Sequence, residues 1–511
     1  MRKFAATHAL ALLICLCLTL PARALSQGYD TPLTMQGVNH TFLSSASARA
    51  MGGVTFAAKN DVSLMFSNPA ALTSLEGLQL SVGAIQHYRN GSQDQRYGGL
   101  QMYSAFNLLT SGLTGMISDP DTTGKKWSGW GPGDSVQRPF DQIGPNWERS
   151  KSKSLPMSAM IAAPITIGGV KLIAGLGMVE YANLDYYYQN NNVFSPSVLS
   201  VLNGTISTGP LNANPYRAQW YQYSQERSGS IYGYGGMLSA ALTEKLSVGV
   251  SGLVLQGSTD DSETRTGRGR MVFFTSYLRL DKQGMTSYQK TGTSDYSGIE
   301  FTGSVKYSSR YMDFGISVTP PTTITRKYSG SVTQDSVSAV NRYAAKIDSV
   351  HVVTTASLSG EDKMALPWRG SLGFSIRVRD NFTIGVEYAI RSFASATYTA
   401  ANGVESNPWL STSVFHIGAE FRASSWLALR AGSSSTKEVF EPTSNPIRGE
   451  AVSYPVYSAG VGITVANAVL NVTYEYSQMK YVDTWSNAAS INQLTTNSIL
   501  ANLSYTIPWS N

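Results

Sequence analysis

Residues 369–393 read RGSLGFSIRVRDNFTIGVEYAIRSF, and their spacing decides the fold. Leu372, Phe374, Ile376 and Val378 share one side of an extended chain, while Arg369, Ser371, Gly373, Ser375 and Arg377 share the other. After a turn at residues 379–381, Phe382, Ile384, Val386, Tyr388 and Ile390 return along the apolar side, with Thr383, Gly385, Glu387 and Arg391 opposite. The period is two, that of a strand with one apolar face, and not the 3.6 of a helix. The same construction recurs at 412–432, where Phe415, Ile417, Ala419 and Phe421 oppose His416, Gly418 and Glu420, and again at 456–477.

Alternation alone is also what a soluble sandwich shows, and two further features point to a membrane. The polar face mixes Gly and Ser with isolated charges (Glu300, Lys306, Asp313, Arg377, Glu387, Arg391, Glu420, Arg430, Glu475), which suits a wet bore better than a Lys- and Glu-crowded surface. Connections alternate between very short turns and long loops, the asymmetry of outer-membrane barrels. A slip of one residue would turn these charges into lipid, at roughly 2–4 kcal/mol for each Arg or Lys near the midplane, so register is firmly specified.

Composition agrees. Charged residues make up only 14%, aromatics 11%, and 28 Tyr and 47 Gly are spread along the chain without a linker or compositional break, so one large all-β unit is the simplest account. Arg2 and Lys3, the apolar run 9–20 and Ala22-Arg23-Ala24 form a secretory signal, residues 1–24, with cleavage expected after Ala24. Its removal lowers the formal charge from +6 to +3, which leaves a nucleic-acid partner without electrostatic support. Both cysteines, Cys15 and Cys17, lie in the signal, so the mature chain has no thiol chemistry. Beyond it no stretch reaches the roughly 18 apolar residues of a membrane helix, and a closed barrel is the remaining way to span a bilayer.

Strands are expected near 78–88, 154–164, 169–188, 229–242, 245–257, 297–307, 311–327, 368–378, 381–399, 412–422, 426–436, 455–465, 468–482 and 496–507. The expected fold is therefore an all-β transmembrane antiparallel β-barrel of about fourteen strands, counted at roughly ten residues per crossing. A further pair at 97–106 and 108–117 would make sixteen. The last strand places Ile499, Ala501, Leu503, Tyr505, Ile507 and Trp509 on one face, similar to the signal read by barrel-assembly machinery.

A barrel of this width needs a plug, and residues 44–75, SSASARAMGGVTFAAKNDVSLMFSNPAALTSL, supply one. Gly52 and Gly53 permit a sharp turn; Asp61 and Asn68 stand where each caps a short helical turn; Pro69 takes the first helical position. The run Ser47, Ala48, Arg49, Gly52, Gly53, then Asp61, then Asn68, Pro69, Ala70 and Leu72, followed by a barrel, resembles the FadL-type outer-membrane transporters of long-chain fatty acids and other hydrophobic compounds. Ala71 departs from the Gly usual in that family. The resemblance implies an N-terminal hatch at 25–76 inside a Gram-negative outer-membrane barrel at 77–511, with hatch residues Arg49, Gly52, Gly53, Asp61, Asn68, Pro69 and Ala70.

The resemblance also implies sideways delivery through a kinked third strand. There Val170, Leu172, Ala174, Leu176 and Met178 form a lipid face that, continued, would put Glu180 in lipid. Either a bulge within 175–180, involving Gly175 and Gly177, corrects the register, or Glu180 already sits at the outer interface. Two long loops, near 258–296 and 328–367, correspond to the capture loops. In the first, Arg265, Arg268 and Arg270 precede the apolar run 271–278, with Val272, Phe273 and Phe274, which is suited to an acyl chain or else continues a strand above the membrane.

Catalysis has little footing. His416, near Glu420, is the one histidine placed for chemistry and reads as part of a lumenal polar network, and no metal spacing, phosphate loop or nucleophile elbow appears. No cofactor is expected. The functional expectation is passive uptake of hydrophobic small molecules, fatty acids or hydrocarbons, by a monomer in contact with outer-membrane lipid and lipopolysaccharide. The alternatives are a scaffold or shuttle subunit of a protein-secretion system and a nonspecific porin.

Overall fold

The computed structural model describes residues 34–41, 43, 45–97, 143–167, 170–195, 216–273, 278–281, 285–339, 349–442, 449–485 and 488–508. The signal segment 1–24, Phe274 of the apolar run, Trp509, and the additional strand pair at 97–106 and 108–117 beyond Tyr97 lie outside the described residues.

Fourteen antiparallel staves close into a barrel. In chain order the strands are β1 Gly77–Tyr97, β2 Trp147–Ile167, β3 Val170–Asn183, β4 Tyr186–Ser195, β5 Tyr216–Ala241, β6 Leu246–Phe273, β7 Leu278–Asp281, β8 Met285–Ser308, β9 Met312–Thr319 and β10 Thr322–Ala339. They continue with β11 Ser349–Leu366, β12 Arg369–Arg379, β13 Phe382–Arg391, β14 Thr397–Thr399, β15 Glu405–Ser406, β16 Thr412–Arg422, β17 Leu427–Lys437, β18 Ser453–Val465, β19 Ala468–Trp485 and β20 Ala488–Pro508. The circuit runs β1, β2, β3, β5, β6, β8, β9, β12, β13, β16, β17, β18, β19, β20 and back to β1, whose 21 residues pair with β20 without interruption. Closure leaves no free sheet edge at this level.

Several staves are made of two pieces. Pro320 and Pro321 lack the N–H a ladder needs and separate β9 from β10; Pro367 does the same between β11 and β12. The stretches 258–296 and 328–367, expected as loops, are for the most part strand: β6 and β8 pair from Leu246↔Tyr307 to Arg265↔Tyr288, and β10 pairs with β11 along its whole length. Above the bilayer neither face must be apolar, so the Thr-, Ser- and Tyr-rich ladder continues after the hydrophobic alternation that marks it has ended.

The faces sort as the sequence alternation requires. Leu372, Phe374, Ile376, Val378, Tyr388, Ile390, Phe415, Ile417, Leu503 and Tyr505 are exposed on the outer wall, whereas Glu300, Asp313, Glu387 and Glu475 are buried inside. The bore is not simply wet. Residues 45–76 bond to inward side chains on strands all round the closed wall and therefore lie inside it: Ala70 N donates to Ser304 Oγ on β8, Thr55 N to Glu387 Oε2 on β13, Val62 N to Gln79 Oε1 on β1, and Thr473 Oγ1 on β19 donates to Ala46 O.

Glycines on the inner wall make room for this segment. A Cβ on Gly315 or Gly373, which pair across β9 and β12, would overlap the ring of Phe56; one on Gly385 would meet Val54, on Gly418 and Gly432 the backbone of Met51 and Gly52, on Gly460 Ala50, and on Gly249 Pro69 and Ala70. Phe56, Val54 and Met51 are buried as a result, and the main apolar cluster joins Leu64, Met65, Phe66 and Leu72 of the segment to Met160, Ile173 and Leu253 of the wall. Gly373→Leu is expected to unseat Phe56 at a cost of about 1–3 kcal/mol. Conductance across planar bilayers should rise while the anomalous gel migration of the unheated barrel is kept.

Candidate functional site

Each hatch-motif residue has a definable partner except one. Ser45 caps the helix α1 Ala46–Ala50 by accepting from Ala48 N, and Arg49 in its last turn donates Nε to Glu475 Oε1 at 2.7 Å and Nη2 to the other carboxylate oxygen. Gly52 and Gly53 turn the chain with φ of +70° and +95°, values that favour glycine. His416 Nδ1 meets Gly52 O at 2.6 Å, so this histidine fastens the inner segment to β16. Asp61 caps the turn Val62–Leu64 through Ser63 N and also accepts from Ser47 Oγ at 2.6 Å. Asn68 departs from expectation. Pro69 does open the turn Pro69–Ser74, but the Asn68 side chain makes no capping bond: it is fully buried and neither polar atom finds a protein partner among the described residues. Its φ of −147° and ψ of 73° place it outside the usual capping conformation.

The third stave holds the irregularity, at one end of the expected stretch. Gly175 and Gly177 stay in regular register with Ala162 and Met160 on β2 and with Met237 and Gly235 on β5; Gly175 instead leaves room for Met65 of the inner segment. The shift falls between Glu180 and Ala182, and Glu180 is buried, accepting from Ser230 Oγ at 2.9 Å. The β2–β3 ladder ends at Ser158↔Val179. Among the described residues no ladder joins 147–157 of β2 to 180–195 of β3 and β4. β2 continues upward on β1 alone and β4 on β5 alone, leaving a seam in the wall. The seam starts where the outer surface changes character: Ile161, Ile165 and Ile167 are exposed below it, Ser150, Ser152 and Ser154 above it.

A lumenal cavity of about 370 Å³ opens beside this seam. Arg49, Gly52 and Gly53 border it on the inner-segment side, and Trp147, Arg149, Asp185 and Tyr187 of the seam line its wall. Two lining guanidiniums stand out. Arg89 donates to the carbonyl oxygen of Asp185 at 2.8 Å and Arg391 to that of Asn39 at 3.4 Å, and among the described residues no carboxylate lies within ion-pair distance of either.

No protein-family model matches the chain, and comparison with curated proteins gives no match. Solved structures do match. A Pseudomonas aeruginosa FadL homologue superposes with a TM-score of 0.54 at 13% identity over 92% of this chain and 100% of its own. The Pseudomonas putida toluene transporter TodX gives 0.51 at 11% identity, over 91% and 98%. A TodX variant described as a monoaromatic hydrocarbon channel gives 0.51 at 13% identity, over 91% and 99%. The fold is that of the FadL-type outer-membrane transporters. A FadL-type barrel is a multi-pass barrel of the Gram-negative outer membrane, and the apolar outer wall here fits that setting.

Within this barrel the expected capture stretch, read as part of a long loop, runs as strand. Arg268 is buried inside the upper wall and donates to Asn191 O at 2.6 Å, Asn192 Oδ1 at 2.7 Å and Ile143 O at 2.9 Å. Arg265 donates to Gln219 Oε1 and stacks on Tyr221 at 3.7 Å. Arg270, Val272 and Phe273 belong to β6, paired with Gln219, Arg217 and Tyr216 of β5. Arg265 and Arg268 hold the wall together because the strand runs through them. Sequence reading did not single out Arg89 or Asp185; the unpaired charge on an inner-face position of β1 was the available signal. Arg49→Met, which strands Glu475 in a largely buried site, is expected to destabilise the seated inner segment by about 3–5 kcal/mol, and the double change Arg49→Met/Glu475→Leu by much less. Protease sensitivity of the N-terminal segment in the folded barrel reads the difference.

Proposed function

We propose that this protein is a passive outer-membrane channel for apolar small molecules. Cargo occupies the lumenal cavity, residues 45–76 act as a hatch that keeps the bore closed, and exit is sideways through the seam. The observation that carries this reading is the cavity's position. It is bordered on one side by the inner segment and on another by the stretch of described wall between upper β2 and the β3–β4 break, where no ladder joins the neighbouring staves. The neighbours described as a toluene transporter and a hydrocarbon channel support apolar cargo.

The finer reading is an acid-bearing cargo rather than a plain hydrocarbon. Tyr186, Tyr187, Val414, Met479 and Leu494 offer apolar contact in the cavity, and Arg89 and Arg391 offer charge-assisted donors to a carboxylate. Burial makes an unpaired guanidinium costly, and a ligand carboxylate relieves that cost.

The test is in two parts. Deletion should abolish growth on long-chain fatty acids with protein secretion intact; normal growth together with co-purification of secretion subunits would reverse the assignment. In the purified barrel, Arg391→Met and Arg89→Met should each weaken oleate binding by about tenfold or more, as expected for loss of a hydrogen bond to a charged group. Binding of hexadecane should be little changed. Equal losses for both ligands would remove the acid-selective reading.

A further inference from the structure

The seam is closed by side chains at alternate positions of β2. Trp147 Nε1 donates to Gln189 O at 2.9 Å, Arg149 Nη2 to Glu226 Oε1 at 2.7 Å with its guanidinium 4.1 Å from the centre of the Tyr187 ring, and Lys151 Nζ lies 3.5 Å from the same Glu226 oxygen. Lys153 Nζ reaches Asp185 Oδ1 at 2.8 Å. The last of these contacts differs from the rest. It is the nearest to the end of the β2–β3 ladder, and Asp185 lies in the break between β3 and β4, where it ties three other strands together. Its Oδ1 also accepts from Gly229 N on β5 at 3.0 Å, its carbonyl accepts from Arg89 on β1, and its carboxylate is largely buried.

We infer that the Lys153–Asp185 pair is a latch that holds the wall seam shut and sets the rate at which cargo leaves the cavity for the bilayer. Parting two laddered strands breaks a run of backbone hydrogen bonds at once. Parting the seam breaks only side-chain contacts, and the pair at its lower end stands at the upper limit of the apolar outer wall, where cargo would enter lipid. Arg89 connects the latch to the cavity. It lines the cavity while bonded to the Asp185 carbonyl, so an acid head group that engages Arg89 competes with that bond and loosens the residue carrying the latch carboxylate. This inference rests on the sideways-exit reading above.

The experiment uses the full mature barrel in liposomes with a pyrene-labelled long-chain fatty acid, reading binding in detergent and transfer into the bilayer separately. Asp185→Asn and Lys153→Met should each speed transfer about two- to fivefold, the range expected for loss of a partly exposed ion pair, and Lys153→Met, at a position outside the cavity lining, should leave binding unchanged. The exchanged pair Lys153→Asp/Asp185→Lys should return transfer toward the parent rate. Because both cysteines of the chain precede residue 18, Lys153→Cys/Asp185→Cys can be bridged by a bifunctional methanethiosulfonate. The bridge should stop transfer without stopping binding, and reductant should restore it. Transfer unaltered by the single changes and by the bridge overturns the latch. Failure of the parent barrel to bind the probe at all overturns instead the uptake reading on which the latch depends.

Discussion

Steric fit between the N-terminal segment and a set of wall glycines is the constraint on which the rest of the molecule depends. Backbone and side chains of residues 50–70 approach the strands so closely at Gly249, Gly315, Gly373, Gly385, Gly418, Gly432 and Gly460 that no Cβ fits there without displacement. Seven glycines on seven different staves are costly to strand stability, since each weakens the ladder's packing and raises the entropy lost on folding. The compensation is dense packing of Phe56, Met51, Leu64 and Phe66 in a bore that would otherwise be open, with Arg49–Glu475 and His416–Gly52 as polar fasteners. Such a seat holds the segment by contact over its whole surface, and one enlarged side chain in the seat disturbs it.

The wall and the segment divide the functional tasks. Most of the circuit is bound by continuous ladders, and this rigidity fixes where the cavity and its cations sit. The interval between upper β2 and the β3–β4 break is held differently, by ion pairs, a cation over a ring and one indole donor. Contacts of this kind are individually weak and reversible, unlike a run of ladder hydrogen bonds. Its start at the change from exposed isoleucines to exposed serines follows from the same outer-face pattern that sets the depth of the barrel in the bilayer.

Several sequence expectations were met because the physics behind them is local. Alternation at 369–393 fixes both the strand period and which side chains face lipid, and Phe374 and Ile417 are exposed on the outer wall as that rule requires. Fourteen staves follow from counting such runs. Where the rule lost force, the expectations failed. Above the bilayer strands need no apolar face, so β6, β8, β10 and β11 continue through stretches read as loops, and Arg268 is buried within the wall rather than at a tip. Asn68 was assigned a cap from its position before Pro69, but its backbone lies outside the usual capping conformation and its side chain makes no capping bond.

The sequence by itself determined the class of protein: a period-two pattern with isolated charges opposite apolar residues admits a closed membrane barrel and little else. Only the tertiary structure decided which glycines receive the inner segment, that Glu180 and the register shift mark the end of a ladder, and that Arg89, Asp185 and Arg391 line one cavity, with Lys153 bonded to Asp185. Those residues come from different staves and the joints between them. Periodicity reports which way a side chain points, whereas proximity across a barrel depends on stagger and closure, which no single strand encodes.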